Sequence, residues 1–189
     1  MPTPGDRPRR VQGGGHGACY PARPGDPGVS LVAFLLERPF VNHVLERSQF
    51  VPRPRGEVFA FFADAHNLEA ITPAFLRFKI LTPAPIAMHP GTLIDYRLSL
   101  SGVPFRWRTE IETFEPETRF VDRQLTGPYE RWHHTHDFED APGGTLVKDR
   151  VEYALPLGPL GELAHALFVR RRLATIFDHR ARVIADRFA

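Results

Sequence analysis

The chain of 189 residues has a single cysteine, Cys19, and only two lysines, Lys79 and Lys148. One cysteine excludes an internal disulfide framework and fits a reducing compartment, so a cytoplasmic location is expected. With so little lysine, the positive charge is almost all arginine, a residue suited to anions and interfaces, though a biased genome composition produces the same usage. Long apolar runs are missing too. The stretch "VSLVAFLL" (29–36) falls far short of the roughly 20 residues that cross a bilayer, so no stable membrane insertion is expected. No small-residue cleavage site follows it, as a secretory leader requires. A Gly-rich phosphate loop, an HExxH helix and a cysteine pair are also lacking, which removes the usual nucleotide and zinc signatures.

What is present is ordinary for a globular protein with one domain and a real core: 42% hydrophobic and 24% charged residues, with a formal charge of +2. That charge sits at the N-terminal end, where Arg7, Arg9, Arg10 and Arg23 face only Asp6 and Asp26. Residues 1–28 are rich in Pro, Gly and Arg and lack apolar periodicity, so they are expected to form a disordered tail. An over-extended reading frame with a natural start nearer Val41 would leave the same composition. Residues 29–42 are ambiguous between a linker and an extra element. The folded domain is expected over 43–188.

From His43 the pattern becomes regular. "HVLERSQFVP" alternates as a strand does, and "PRPRG" ends it. Val58, Phe59, Phe62 and Ala63 then recur at helical spacing, followed by a second short helix through Leu68 and Ile71 that Pro73 stops. Strand-like runs follow at 75–82, 91–102, 103–116, 118–127, 129–140 and 145–157, separated by short turns such as "SG", "EPE" and "DAPGG". Short turns between consecutive strands predict hairpins and an antiparallel meander. Leu160, Leu163, Leu167, Leu173, Ile176, Phe177 and Ile184 predict one long amphipathic C-terminal helix. The fold class is therefore α+β, a curved antiparallel sheet of about seven strands around a long helix.

Period-two alternation assigns faces. Phe105, Trp107, Thr109, Ile111 and Thr113 share one face, as do Thr145, Val147, Asp149, Val151, Tyr153 and Leu155. In "YERWHHTHDFED", Trp132, His134, His136 and Phe138 point inward and His133 outward. The run 118–125 is undecided, since Phe120, Asp122 and Gln124 compete with Val121, Arg123 and Leu125. Inward histidines and acids are tolerated only when hydrogen-bonded or hydrated. A cavity between sheet and helix meets that need, lined by Trp107, Trp132, Tyr96, Phe105 and Tyr153, with Gln124, Leu163 and Leu167 as further ligand-binding candidates.

The stretches "FVPRPRGEVFAFFADAHNLEAITP", "GPYERWHHTHDF" and "DRVEYALPLG" resemble the START/SRPBCC helix-grip superfamily, and within it bacterial cyclase/dehydrase-like proteins. The resemblance covers roughly residues 43–188 and implies the helix-grip fold. It implies a range of activities, because the superfamily includes lipid carriers, hormone sensors, aromatases and hydrolases without a shared catalytic motif.

For function the leading expectation is binding of a hydrophobic small molecule. Burying about 300 Å² of apolar ligand is worth roughly 7 kcal/mol before association costs, enough for micromolar binding with one or two polar anchors. Arg97 or Arg123, if inward, would favour an acidic headgroup. The alternative is a polyketide-cyclase/dehydratase-like enzyme in which His134 or His136, held by Asp149 or Asp122, moves protons. No cofactor and no metal are expected: His134-x-His136 with Asp149 lacks a third histidine on its face. No nucleic-acid partner is expected either, because Arg170, Arg171 and Arg172 spread round a helix that also carries Asp178 and Asp186. The oligomeric state stays open.

Overall fold

The computed structural model describes residues 41–100 and 102–189. The expected tail at 1–28 lies outside the described residues. Of the ambiguous segment 29–42 only Val41 and Asn42 are described, and neither belongs to a helix or strand.

Strand β1 (His43–Val51) leads into two short helices, α1 (Arg55–Ala63) and α2 (Asn67–Ala70). Six strands follow: β2 (Lys79–Ile80), β3 (Leu93–Leu100), β4 (Val103–Glu115), β5 (Arg119–Thr126), β6 (Arg131–Ala141) and β7 (Gly144–Ala154). The C-terminal helix comprises α3 (Pro159–Ala164), a π turn (His165–Val169) and α4 (Arg170–Phe188). The sheet order is β1-β7-β6-β5-β4-β3-β2, antiparallel throughout. Consecutive strands from β2 onward are neighbours, as their short turns predict. Only β1 travels, and α1 and α2 carry the chain from its edge of the sheet to the other.

One predicted strand shrinks. Residues 75–82 hold a 3₁₀ turn at Ala74–Leu76 and only Lys79–Ile80 as strand. Arg77 adopts a left-handed conformation at φ 45°, which breaks the extended run before it starts. The chain still follows β3 beyond the strand, because the Leu81 and Thr82 amides donate to the Asp95 carbonyl at 2.7 and 3.2 Å.

The core lies where the inner sheet face meets α1 and α4. Phe138, Val51, Val58 and Ile184 belong to one buried cluster, Trp107, Tyr96 and Ile111 to a second, and Tyr153, Leu173 and Phe177 to a third. The inward stripe of α4 runs Leu173, Phe177, Ile184, Phe188, helical spacing that keeps one face against the sheet.

The leucines of α3 and the π turn do not share that face. Leu160, Leu163 and Leu167 are 69%, 56% and 53% exposed, which corrects the assignment of Leu163 and Leu167 to the cavity wall. At about 100° per residue the three stand roughly 80–140° from Leu173 even in an unbroken helix, and the wider π turn rotates them further. The face that α3 does bury is at Gly161, where a Cβ would collide with the Pro156 carbonyl oxygen.

Candidate functional site

Two histidines and two aspartates meet on the inner face of the sheet. His134 and His136 are alternate residues of β6, so both point inward, while β5 supplies Asp122 and β7 supplies Asp149. The side chains of His134, His136, Asp122 and Asp149 are 5%, 6%, 16% and 11% exposed, in that order. His134 Nε2 donates to Asp149 Oδ1 at 3.0 Å and His136 Nε2 donates to Asp122 Oδ2 at 3.1 Å. A second set of approaches closes the ring: His134 Nδ1 to Asp122 Oδ2 at 3.5 Å and His136 Nδ1 to Asp149 Oδ1 at 2.9 Å. The last is close enough for an ion pair but out of line for a hydrogen bond, and His136 Nδ1 stays without a hydrogen-bond partner. Each imidazole thus lies between both carboxylates. Thr109 Oγ1, from β4, donates to the Arg123 carbonyl at 2.9 Å and approaches Asp122 Oδ1 at 3.3 Å.

The undecided strand is thereby resolved. Phe120 and Asp122 face inward, and Arg123 faces out to bond Glu110 at 2.7 Å. The β4–β5 ladder shifts register between Arg108 and Thr109 and again between Ile111 and Thr113, irregularities that blur the alternation.

The quartet splits its titrations. Burial is the largest influence on all four groups and disfavours charge. For Asp149 the hydrogen bond from His134 and the close approach of His136 outweigh burial and hold the carboxyl well below its ordinary value. Asp122 is lowered as well, against burial, by His136, His134 and Arg180. Burial and the neighbouring His136 lower His134, whereas for His136 the two carboxylates overcome burial and raise it. One imidazole therefore favours the neutral form and its neighbour the protonated form, with ring centroids 3.7 Å apart. Burial raises Tyr96 and Tyr129, so both phenols stay protonated.

His134, His136 and Asp122 line a cavity of about 170 Å³ between the sheet and α4. Its walls are mainly apolar and include Tyr96, Leu98, Trp107, Ile111, Trp132 and Phe177. A neighbouring pocket of about 180 Å³ shares Leu76, Leu100, Tyr129 and Ile176 with it and adds Phe168 and Arg172. Of the sequence candidates, Trp107, Trp132, Tyr96, His134, His136 and Asp122 line the cavity between the sheet and α4. Asp149 stands behind the histidines that it orients. Phe105 packs beside Trp107 without lining the cavity. Tyr153 is buried and shares a 2.9 Å hydrogen bond with His165. Gln124 latches the β5–β6 turn: its Nε2 donates to the Tyr129 carbonyl at 2.6 Å and its Oε1 accepts the Tyr129 amide at 3.3 Å. Arg97 and Arg123 are both exposed, so neither serves the cavity.

The cation in the cavity wall is Arg180 of α4, which sequence reasoning missed. Its signal was available: it falls on the Leu173–Phe177–Ile184 stripe at helical spacing, where a charge is out of place. Among the described residues, two groups could offer a metal three ligands: Asp122 with His134 and His136, and His43 with Glu162 and His165. In the first, all four ring nitrogens already face carboxylates; in the second, His43 pairs with Glu162 and His165 with Tyr153. Among the described residues no helix is long and apolar enough to cross a membrane.

A family described as polyketide cyclase / dehydrase and lipid transport matches residues 51–178. The chain belongs to this family. Solved structures agree on the helix-grip architecture of this cyclase/dehydrase-family protein. TTHA0849 from Thermus thermophilus superposes with a TM-score of 0.62 at 18% identity, over 77% of this chain and 97% of that one. CV1439 from Chromobacterium violaceum gives 0.60 at 12%, over 77% and 96%. The major latex-like protein 151 of Panax ginseng gives 0.56 at 13%, over 78% and 98%. At these identities the likeness is one of fold. No curated protein matches this family member.

Proposed function

We propose that this protein binds a compact, mainly apolar, ring-containing molecule in the cavity beneath α4, with the ligand's polar end towards the His134/His136/Asp122/Asp149 quartet. The observation that carries this reading is the cavity itself, about 170 Å³ of mostly apolar wall with His134, His136 and Asp122 in its lining. An apolar cavity of about 150 Å³ accommodates a benzene ring, so the size favours one aromatic ring over a long acyl chain or a fused polycycle. Trp107, Trp132 and Tyr96 offer flat faces for such a ring. The adjoining pocket beside Phe168 supplies an approach route, with Leu76, Leu100, Tyr129 and Ile176 between the two. Native mass spectrometry of the full-length protein tests the reading. An organic mass that denaturation releases is the expected result. A bare chain that also fails to bind any single-ring probe overturns it.

A second reading is favoured by one observation, the opposite shifts of His134 and His136. Neighbouring groups whose environments push their titrations apart make an acid and a base. In this cyclase/dehydratase-like scheme neutral His134 takes a proton from a carbon beside the ligand's carbonyl. Protonated His136 gives a proton to the oxygen, and Asp122 and Asp149 hold both rings while the protons return. His134→Ala and Asp149→Ala separate the readings. A binder loses affinity modestly in both variants, whereas an enzyme keeps its ligand and loses turnover, read as solvent deuterium uptake by an enolisable ring ketone such as acetophenone.

A further inference from the structure

Among the described residues, three buried nitrogens on the cavity wall have no hydrogen-bond partner, and two of them lie outside the histidine–aspartate quartet. Arg180 Nε, from α4, and Trp107 Nε1, from β4, each lack a hydrogen bond, and both residues line the cavity. A buried N–H without an acceptor is uncommon and needs a reason. Arg180 is the sharper case. Among the described residues its guanidinium makes no ion pair, although Arg47, Arg108, Arg119, Arg123 and Arg131 all do. The buried carboxylate within its field, Asp122, takes its hydrogen bond from His136 instead. What Arg180 does touch is aromatic, its Cζ lying 5.0 Å from the Phe177 ring centroid. That contact orients the flat cation and leaves its edge free. Tyr96 joins the two donors, since its ring stacks on Trp107 at 5.7 Å and its phenol lies within the field of Arg180.

We infer that Arg180, with Trp107 beside Tyr96, is the recognition point for an anionic oxygen on the ligand, so that this cavity selects ring-containing carboxylates or enolates over neutral molecules of the same shape. The inference rests on the proposed binding function and adds the chemical class of the ligand. A planar fork of N–H donors matches a carboxylate edge, and a neutral indole N–H adds a directional bond without adding charge. The remainder of the cavity supplies apolar area, which any ring of suitable size can use. Arg180 and Trp107 therefore determine selectivity, and burial supplies the affinity common to all such ligands.

The test is calorimetric titration of the full-length protein at neutral pH with trans-cinnamate and with its neutral isostere cinnamamide. Wild type is expected to prefer the carboxylate by about tenfold, the scale of one charge-assisted hydrogen bond. Arg180→Gln abolishes the preference while still binding cinnamamide, which shows that the variant is folded. Arg180→Lys keeps part of the preference, because it keeps the charge and loses the fork. Trp107→Phe weakens binding of the carboxylate more than of the amide, and it carries the test if Arg180→Gln does not fold. Equal affinity of wild type for the two probes, or a preference that survives Arg180→Gln, overturns the inference and leaves the binding function intact. Failure of both probes to bind overturns the inference, and the binding function falls with it when native mass spectrometry also shows a bare chain and no single-ring probe binds.

Discussion

Asp149 stands directly across from His136 in the β6–β7 ladder, yet its hydrogen bond comes from His134, at 3.0 Å. Asp122 mirrors it, facing His134 across the β5–β6 ladder and accepting from His136 at 3.1 Å. The bonds therefore cross the strand register on both sides of β6. This crossing ties three strands together and places each imidazole between two carboxylates.

Removing one carboxylate should have a pH signature. Asp122 and Asp149 lie below their ordinary value of 3.8 in the folded protein. The stability that they supply is present above that value and is lost as pH falls through the lower folded values. Asp149→Asn is expected to cost about 3 kcal/mol at neutral pH, as breaking a buried pair does. It should also flatten the acid limb of the stability curve, measured by denaturant melts from about pH 2 to about pH 7, a range that spans carboxylate titration. An acid limb unchanged by Asp149→Asn would show that the bonds to this carboxylate do not set it.

The two histidines should titrate as a coupled pair, one step below and one step above the ordinary histidine value of about 6.5. His136, raised, stabilises the fold below that value and loses its contribution as pH rises through its folded value. His134, lowered, acts oppositely: it is bound neutral, and protonating it in acid opposes folding. Imidazole carbon resonances followed by NMR from about pH 4 to about pH 9, which brackets histidine titration, should show both steps. A single step shared by both rings would contradict the split.

The rotation of the C-terminal helix can be checked by stability alone. Phe138 is 1% exposed and packs on Phe59 and Phe62, so Phe138→Ala is expected to cost about 3–5 kcal/mol. Leu163→Ser and Leu167→Ser, on the exposed face, should each change stability by no more than about 0.5 kcal/mol. Large losses in the leucine variants would place that face in a packed interface.

Gly144 opens β7 where the strand passes the end of β1. A Cβ there would collide with the Val51 carbonyl oxygen and stand 2.9 Å from Pro52 Cα. Gly144→Ala should therefore cost about 1–3 kcal/mol through a forced backbone shift, seen as a lower Tm. Gly143→Ala is a useful comparison, since its strain comes from φ 81° and a Cβ there meets nothing within 4 Å.

Reading along the chain was enough for the order of the elements, the antiparallel meander and the inward direction of Trp132, His134, His136, Phe138 and Asp149. Those properties follow from local rules: alternation in a strand, 3.6-residue spacing in a helix and short turns between neighbours. Where the ladder is irregular, as in β4–β5, alternation could not choose between Asp122 and Val121. Leu163 and Leu167 were misassigned although helical spacing alone already sets them roughly 80–120° from Leu173, and the pitch change at His165–Val169 turns them further away. Arg180 was legible as a charge on the inward helical stripe, but two outcomes became visible only in the folded chain: which carboxylate each histidine uses, and that Gln124 latches a turn. They depend on strand register and side-chain reach between separate segments of the chain. A residue's neighbours in sequence do not encode them.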